Sequence, residues 1–320
     1  ATPSRALFDA APATRTMPDA GGWTHIGEES IELGDQIGGG GVALVYKGWW
    51  GDDPVAIKTL FDPKVDAKLK QEYMDELLVM SELKHRNVVS FYGACMEPPR
   101  HFFVMELCDR SLYELLHGSS KRGIAPCALS VHEKLQLACD VADGMAYLHA
   151  RKPPIVHRDL KTHNVLQASN GVLKICDFGL VRTKNSGAGT PSYMAPELFA
   201  GKPFNSSVDV YAFGVLLCEL FSGEQPFYGY DYMDLRRKVP LGERPELPRF
   251  DTPEGIRRLI KECWDEDPGR RPTFEDVVDA VDAARDATPA KSNCELLDSL
   301  DEFGGGGDCL DSLMMGGSHK

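Results

Sequence analysis

The sequence predicts an α+β fold of two lobes, a small antiparallel β-sheet lobe with one key helix followed by a larger and mainly helical lobe. Three features carry that expectation. Residues 31–58 hold short β-branched runs punctuated by glycines and by the turn signal Asp52-Asp53-Pro54. Lys64 to Lys84 sets Leu69, Tyr73, Leu77, Met80 and Leu83 at the three-and-four spacing of an amphipathic helix. Beyond Leu107 the pattern turns mainly helical, so two lobes should meet at a cleft.

Taken in order, the predicted strands of the small lobe are Ile31–Leu33, Val42–Trp50, Val55–Lys58, Val88–Tyr92 and Phe102–Leu107, with the helix between the third and fourth. The predicted helices of the large lobe are Ser111–His117, His132–Ala150, Val208–Phe221, Pro253–Trp264 and Phe274–Ala284. Residues 1–27, rich in Ala, Pro and Thr, read as a flexible leader. One domain then spans 28–286, divided into lobes 28–107 and 108–286, and 287–320 reads as a disordered acidic tail. Within the tail, Gly304–Gly307 separates two similar pieces, Cys294–Leu300 and Cys309–Leu313, which suit short docking motifs for a partner.

Composition narrows the class. With 320 residues and 42% apolar content the chain can bury a sizeable core. A formal charge of −13 and a pI near 5.2 argue against a nucleic-acid surface, which needs cations to replace phosphate counterions. Nine scattered cysteines, with no C-x-x-C pair, suit reduced thiols better than disulfides or a zinc site. Val210–Phe221 is too short to span a bilayer and carries Glu219, so it reads as a buried helix. A cytoplasmic setting follows by default, with the nucleus left open.

The chemistry lies in an ordered series of motifs. Gly38, Gly39, Gly40 and Gly41 fall between two strand runs, where bare amides can close over phosphates that a bulky side chain would keep away. Val55-Ala56-Ile57-Lys58 is a strand ending in a lysine suited to α- and β-phosphates, provided a partner holds its ammonium. Glu76, on the following helix and next to the apolar Leu77, is the candidate partner. In His157-Arg158-Asp159-Leu160-Lys161-Thr162-His163-Asn164, Asp159 suits a proton acceptor for an attacking hydroxyl. Lys161 suits neutralisation of a γ-phosphate, and Asn164 suits a magnesium ligand through its neutral oxygen. Asp177-Phe178-Gly179 follows and supplies a charged ligand for the same metal.

Together, in this order, the motifs resemble the eukaryotic protein kinase domain over about Glu28 to Asp286, Ala195-Pro196-Glu197 included. The resemblance implies a bilobal protein kinase fold that uses ATP and Mg2+ and phosphorylates a protein substrate. It further implies that Val45, Ala56 and Leu166 enclose the adenine, that Glu106 and Cys108 offer hinge backbone hydrogen bonds, and that Met105 is the gatekeeper. Met80, Phe91, His157 and Phe178 match the stacked regulatory spine, Asp209 the support of the H-R-D turn, and Glu197 with Arg271 a buried ion pair. Trp23-x-x-Ile26, Lys84–Val89 and Cys263-Trp264 ahead of Arg270-Arg271-Pro272 are similar to the tyrosine-kinase-like group, in its Raf-like and mixed-lineage-like members. Within it, Lys161 and Gly189-Thr190 match the serine/threonine pattern. A nucleotide-binding pseudokinase scaffold and a dual-specificity kinase are the alternatives.

Two departures stand out. Val42 and Ala43 replace the usual aromatic tip and third glycine of the glycine loop, and Cys108–Leu112 is one residue short at the hinge exit, where Ser111 would meet the ribose. Regulation is expected through an activating phosphate, placed by an upstream kinase or by the chain itself, on Thr183 or Ser186 near Arg158. Thr190 is expected to position substrate, and Cys176 is either a reactive thiol or a small buried residue.

Overall fold

β-Branched and aromatic residues alternate through the first lobe, and in a computed structural model they form one sheet. The structure describes residues 23–39, 43–60, 67–97, 101–178 and 189–288. Strands β1 (Ile31–Gly39), β2 (Ala43–Trp50), β3 (Asp53–Leu60), β4 (Phe91–Cys95) and β5 (Phe102–Glu106) lie in the order β1-β2-β3-β5-β4, each pair antiparallel. The pleat sends Val55 and Ile57 into a small core with Ile26, Cys95, Phe102 and Val104. Ala56 and Lys58 therefore take the opposite face. The registers Val45↔Lys58 and Ala56↔Met105 bring Val45 and Met105 to that same face. Helix α1 (Ala67–Glu82) covers it, with Glu76, Leu77 and Met80 buried inward.

The large lobe is built on α2 (Leu112–His117), α3 (Val131–His149), α4 (Pro196–Phe199), α5 (Ser207–Ser222), α6 (Tyr232–Lys238), α7 (Glu254–Cys263) and α8 (Phe274–Asp286). Capping boxes start three of these helices: Ser111 with Glu114, Ser130 with Glu133, and Thr273 with Asp276. Every residue from Val208 to Phe221 is buried, so α5 is the apolar centre of the lobe. Each large side chain there contributes roughly 1.5–3 kcal/mol by leaving water. Helix α3 packs on α8 and on the short strand Leu173–Ile175. Gly144 allows that approach, since a Cβ there would lie 2.7 Å from both the Asn87 carbonyl oxygen and the Ile175 side chain.

Three short strands, β6 (Arg110–Ser111), β7 (Val165–Gln167) and β8 (Leu173–Ile175), form a second sheet that the sequence pattern did not announce. Two or three residues are too few for any periodicity to register. Their effect on the site is large. Asn164 immediately precedes β7 and Asp177 follows β8, and the Cys176 N–H donates to the Asn164 carbonyl at 3.0 Å, closing the mouth of the hairpin.

Several expectations need correction. The fourth strand is not Val88–Tyr92 but Phe91–Cys95; Val88 and Val89 are apolar because they bury against Ile175 of the other lobe. Residues 23–26, assigned to the leader, are part of the small lobe. Ile26 N–H donates to Ala94 O at 2.9 Å and Ala94 N–H to Thr24 O at 3.0 Å. Gly93 makes this crossing possible, because a Cβ would stand 2.4 Å from Thr24 O. Helix α6 was not anticipated, its seven residues carrying too short an apolar pattern.

Candidate active site

Lys58 enters the cleft from β3 because the pleat points it away from the small core, and a buried carboxylate meets it there. Its Nζ lies 2.7 Å from Glu76 Oε1 and 3.4 Å from Asp177 Oδ1. Asp177 is 48% exposed and adopts a left-handed backbone with φ 68°. Burial pushes its carboxyl upward, but Lys58, His157 and Lys161 together outweigh that and hold it below its ordinary value. Phe178, the next residue, is buried, with its ring centroid 5.4 Å from that of His157.

The loop 157–164 is fixed from below by Asp209, a fully buried carboxylate near the start of α5. Asp209 accepts from the backbone N–H groups of His157 and Arg158 at 2.8 Å each, and contacts His149 Nε2 at 2.9 Å. Arg158, at φ 70°, lays its guanidinium 4.5 Å over the Phe204 ring. His157 Nδ1 lies 3.3 Å from the Asp159 N and Nε2 lies 3.0 Å from the Cys176 carbonyl oxygen, so the ring is held at both nitrogens.

Asp159 stands at the centre. Its Oδ2 accepts from Lys161 Nζ at 2.8 Å and Asn164 Nδ2 at 3.0 Å, and its Oδ1 accepts from Thr190 N–H at 2.8 Å and Thr190 Oγ1 at 2.7 Å. Lys161 Nζ also donates to Thr190 Oγ1 at 2.6 Å. A hydroxyl thus already bridges this carboxylate and this ammonium. Because the Asn164 amide nitrogen also donates to Asp159 O at 2.8 Å, its carbonyl oxygen faces the other way.

A lysine between two carboxylates, opposite an aspartate grasped by lysine, asparagine and threonine, is a phosphoryl-transfer geometry. The family model described as protein tyrosine and serine/threonine kinase matches residues 31–281. The chain belongs to this kinase family. It is 37% identical over 276 residues to the serine/threonine-protein kinase CTR1 of Arabidopsis thaliana, covering 83% of this chain and 33% of that protein. It is 38% identical to the probable serine/threonine-protein kinase SIS8 of the same plant, covering 78% and 24%, and 36% identical to the dual specificity protein kinase shkC of Dictyostelium discoideum, covering 81% and 52%. The chain therefore spans between a quarter and about half of these relatives.

Elsewhere in the kinase domain, Met105 and Glu106 end β5. The Glu106 N–H donates to Ser90 O at 2.9 Å, and its side chain accepts from Ser90 N–H at 3.1 Å and from Lys174 at 3.0 Å. Cys108 follows, its thiol pushed up to about 12 by burial and by Glu106. Leu166, in β7, is partly buried. Ser111 is committed as the N-cap of α2, accepting from Glu114 N–H at 3.1 Å, so the shortened hinge exit goes into starting a helix. Glu197 and Arg271 form a buried fork of 2.7 and 2.9 Å. Burial raises the Cys176 thiol well above its ordinary value, with Asp177 adding to it, which opposes the reactive-thiol reading. The seven cysteines among the described residues are all unpaired.

Gly38 and Gly39 close β1 opposite Val45 and Leu44, whereas Gly40, Gly41 and Val42, and likewise Thr183 and Ser186, lie outside the described residues. Among the described residues no helix is long and apolar enough to cross a membrane. One group escaped the sequence reading. Beneath the loop, buried Glu219 accepts from the Tyr193 hydroxyl and from Thr162 Oγ1 at 3.2 Å, and it contacts His117 Nε2 at 2.9 Å. The available signal was an acid inside the most apolar helix, which must find donors to be tolerated.

Proposed function

We propose that this domain transfers the γ-phosphoryl group of ATP to serine or threonine hydroxyls of proteins. One observation carries the reading: Thr190 Oγ1 donates to Asp159 Oδ1 at 2.7 Å while accepting from Lys161 Nζ at 2.6 Å. An aliphatic hydroxyl is thereby held between a proton acceptor and a cation, the environment an acceptor serine or threonine needs.

The roles follow from this geometry. Lys58, held by Glu76, would pair with the α- and β-phosphates. Val45, Ala56 and Leu166 would enclose the adenine behind the Met105 gatekeeper, with the Glu106 and Cys108 backbone at the hinge. Gly38, Gly39, Gly40 and Gly41 would cover the phosphates. Asp159 would orient the acceptor hydroxyl and take its proton, and Lys161 would offset charge developing on the γ-phosphate. Thr190 would keep both aligned.

The residues also suit magnesium. Asp177 is half exposed with its carboxyl held below its ordinary value, and the Asn164 nitrogen is committed to Asp159, which leaves its oxygen on the other side of the amide. Among the described residues no group of three His, Cys, Asp or Glu side chains forms a closed metal cage. Magnesium needs none here, since it takes one or two protein oxygens and completes its shell with phosphates and water. Held by Asp177 and Asn164, the ion would neutralise negative charge on the phosphates.

Raf-like or mixed-lineage-like membership, activation by phosphorylation at Thr183 or Ser186, and a cytoplasmic protein substrate extend the same reading. Transfer of radiolabelled phosphate from γ-labelled ATP to a basic carrier protein tests it. Asp159→Asn should lower the rate by ~10²–10⁴-fold at unchanged melting temperature, with label recovered on serine and threonine. Equal rates in both proteins would overturn the mechanism. Label recovered mainly on tyrosine would overturn the specificity.

A further inference from the structure

Helix α6 presents a face that the fold leaves open. Met233 is 64% exposed and Leu241, in the 3-10 turn Val239–Leu241 that continues the helix, is 83% exposed. Met233, Arg237 and Leu241 follow at four-residue steps along one side, flanked by exposed Tyr232 and Arg236. Leu235 and Val239 are buried on the opposite side, so this face is not needed to hold the helix in place. Large apolar side chains alternating with arginines on an otherwise acidic chain mark a binding surface.

We propose that this face docks the tail segment 294–313 of the same chain. The chemistry is complementary. The segment contains Glu295, Asp298, Asp301, Glu302, Asp308 and Asp311, with no Lys or Arg. It repeats Leu-Asp-Ser-Leu, as Leu297–Leu300 and Leu310–Leu313, so each copy carries two leucines at helical spacing around an aspartate. Leucines suit Met233 and Leu241, and the aspartates suit Arg236 and Arg237.

The tether is long enough. The 22 residues from Thr288 to Leu310 (310 − 288) extend to ~73 Å at about 3.3 Å per residue. A domain of this size has a radius of gyration of roughly 18 Å and is roughly 47 Å across. Helix α6 packs against the turn Pro191–Tyr193, which directly follows Thr190. A docked tail would therefore cover the outer side of the helix whose inner side supports the segment after Thr190; the docking itself does not depend on the proposed activity.

Hydrogen–deuterium exchange on the full chain tests it. An effective concentration on the order of 1 mM against a dissociation constant of ~0.1 mM slows exchange of the covered helix about tenfold. The variant Leu297→Ala/Leu300→Ala/Leu310→Ala/Leu313→Ala, altered only in the tail, should therefore exchange at residues 232–241 about tenfold faster, with α5 unchanged. Arg236→Glu/Arg237→Glu should release the tail too, and combining it with Asp298→Lys/Asp311→Lys should restore slow exchange. Equal exchange in wild type and the tail variant overturns the proposal. So does protection that rises with protein concentration, which marks docking onto a second copy.

Discussion

Two ion pairs with the same shortest contact, 2.7 Å, behave as opposites in this molecule. Lys58–Glu76 joins β3 to α1 within the small lobe, and the same ammonium also attends Asp177 of the large lobe. Arg271–Glu197 is a two-pronged fork. Arg271 also donates to Asp265 O at 2.9 Å and Ser207 O at 3.1 Å, and its guanidinium lies 5.2 Å from the Tyr211 ring centre. A planar guanidinium with several satisfied donors has one good position, whereas an ammonium on a four-carbon stem can turn between partners. The arginine pair is structure and the lysine pair is apparatus. The fork ties the Ala-Pro-Glu segment to the large lobe permanently, and the lysine pair holds a charge ready for something else.

The largest expected effect breaks the fork. Arg271→Ala leaves Glu197 buried without its cation and should cost about 3–5 kcal/mol of unfolding free energy in urea. A loss below about 1 kcal/mol would mean that the fork is no more structural than a surface pair. Next comes the lysine. Lys58→Met should cut kcat/KM for ATP by ~10²–10³-fold, as loss of a charge aimed at the transition state does. Its effect on stability should be smaller than that of Arg271→Ala, because Glu76 loses a single contact to a partly exposed ammonium where Glu197 loses a two-pronged, fully buried one. If stability falls as far as with Arg271→Ala, the distinction between the two pairs collapses.

The smallest effect is a titration. Asp177 has its carboxyl held below its ordinary value in the folded state, so its contribution to stability is present above the unfolded value near ~3.9 and is lost as pH falls through the lower, folded value. In Lys58→Met the attraction is weakened while burial remains, so the Asp177 titration followed by carbon NMR should move upward. An unchanged titration would show that His157 and Lys161 alone hold the carboxylate, and that the lysine serves Glu76 only.

Much of this was legible because the motifs are contiguous. Val55–Lys58, His157–Asn164 and Asp177-Phe178 each carry their chemistry within a few residues, and their order along the chain restricts the fold. The long helices were legible because α3, α7 and α8 repeat their burial pattern over several turns and α5 is one continuous apolar run. The strands β6–β8 and helix α6 were too short to do so. Val88–Val89 misled because burial between lobes and burial in a sheet select the same β-branched residues.

Residue type and order were enough for the two-lobed class and the family, and for naming Lys58, Glu76, Asp159, Asn164 and Asp177 as candidates. Only the tertiary structure decided which groups share atoms. Thr190 stands 31 residues from Asp159 yet donates to it twice, and Glu219 collects Tyr193, Thr162 and His117 from three separate segments. A buried carboxylate must find donors wherever the packed chain brings them, and the chain's folding path through space, unlike its order, is set by the burial of the whole core.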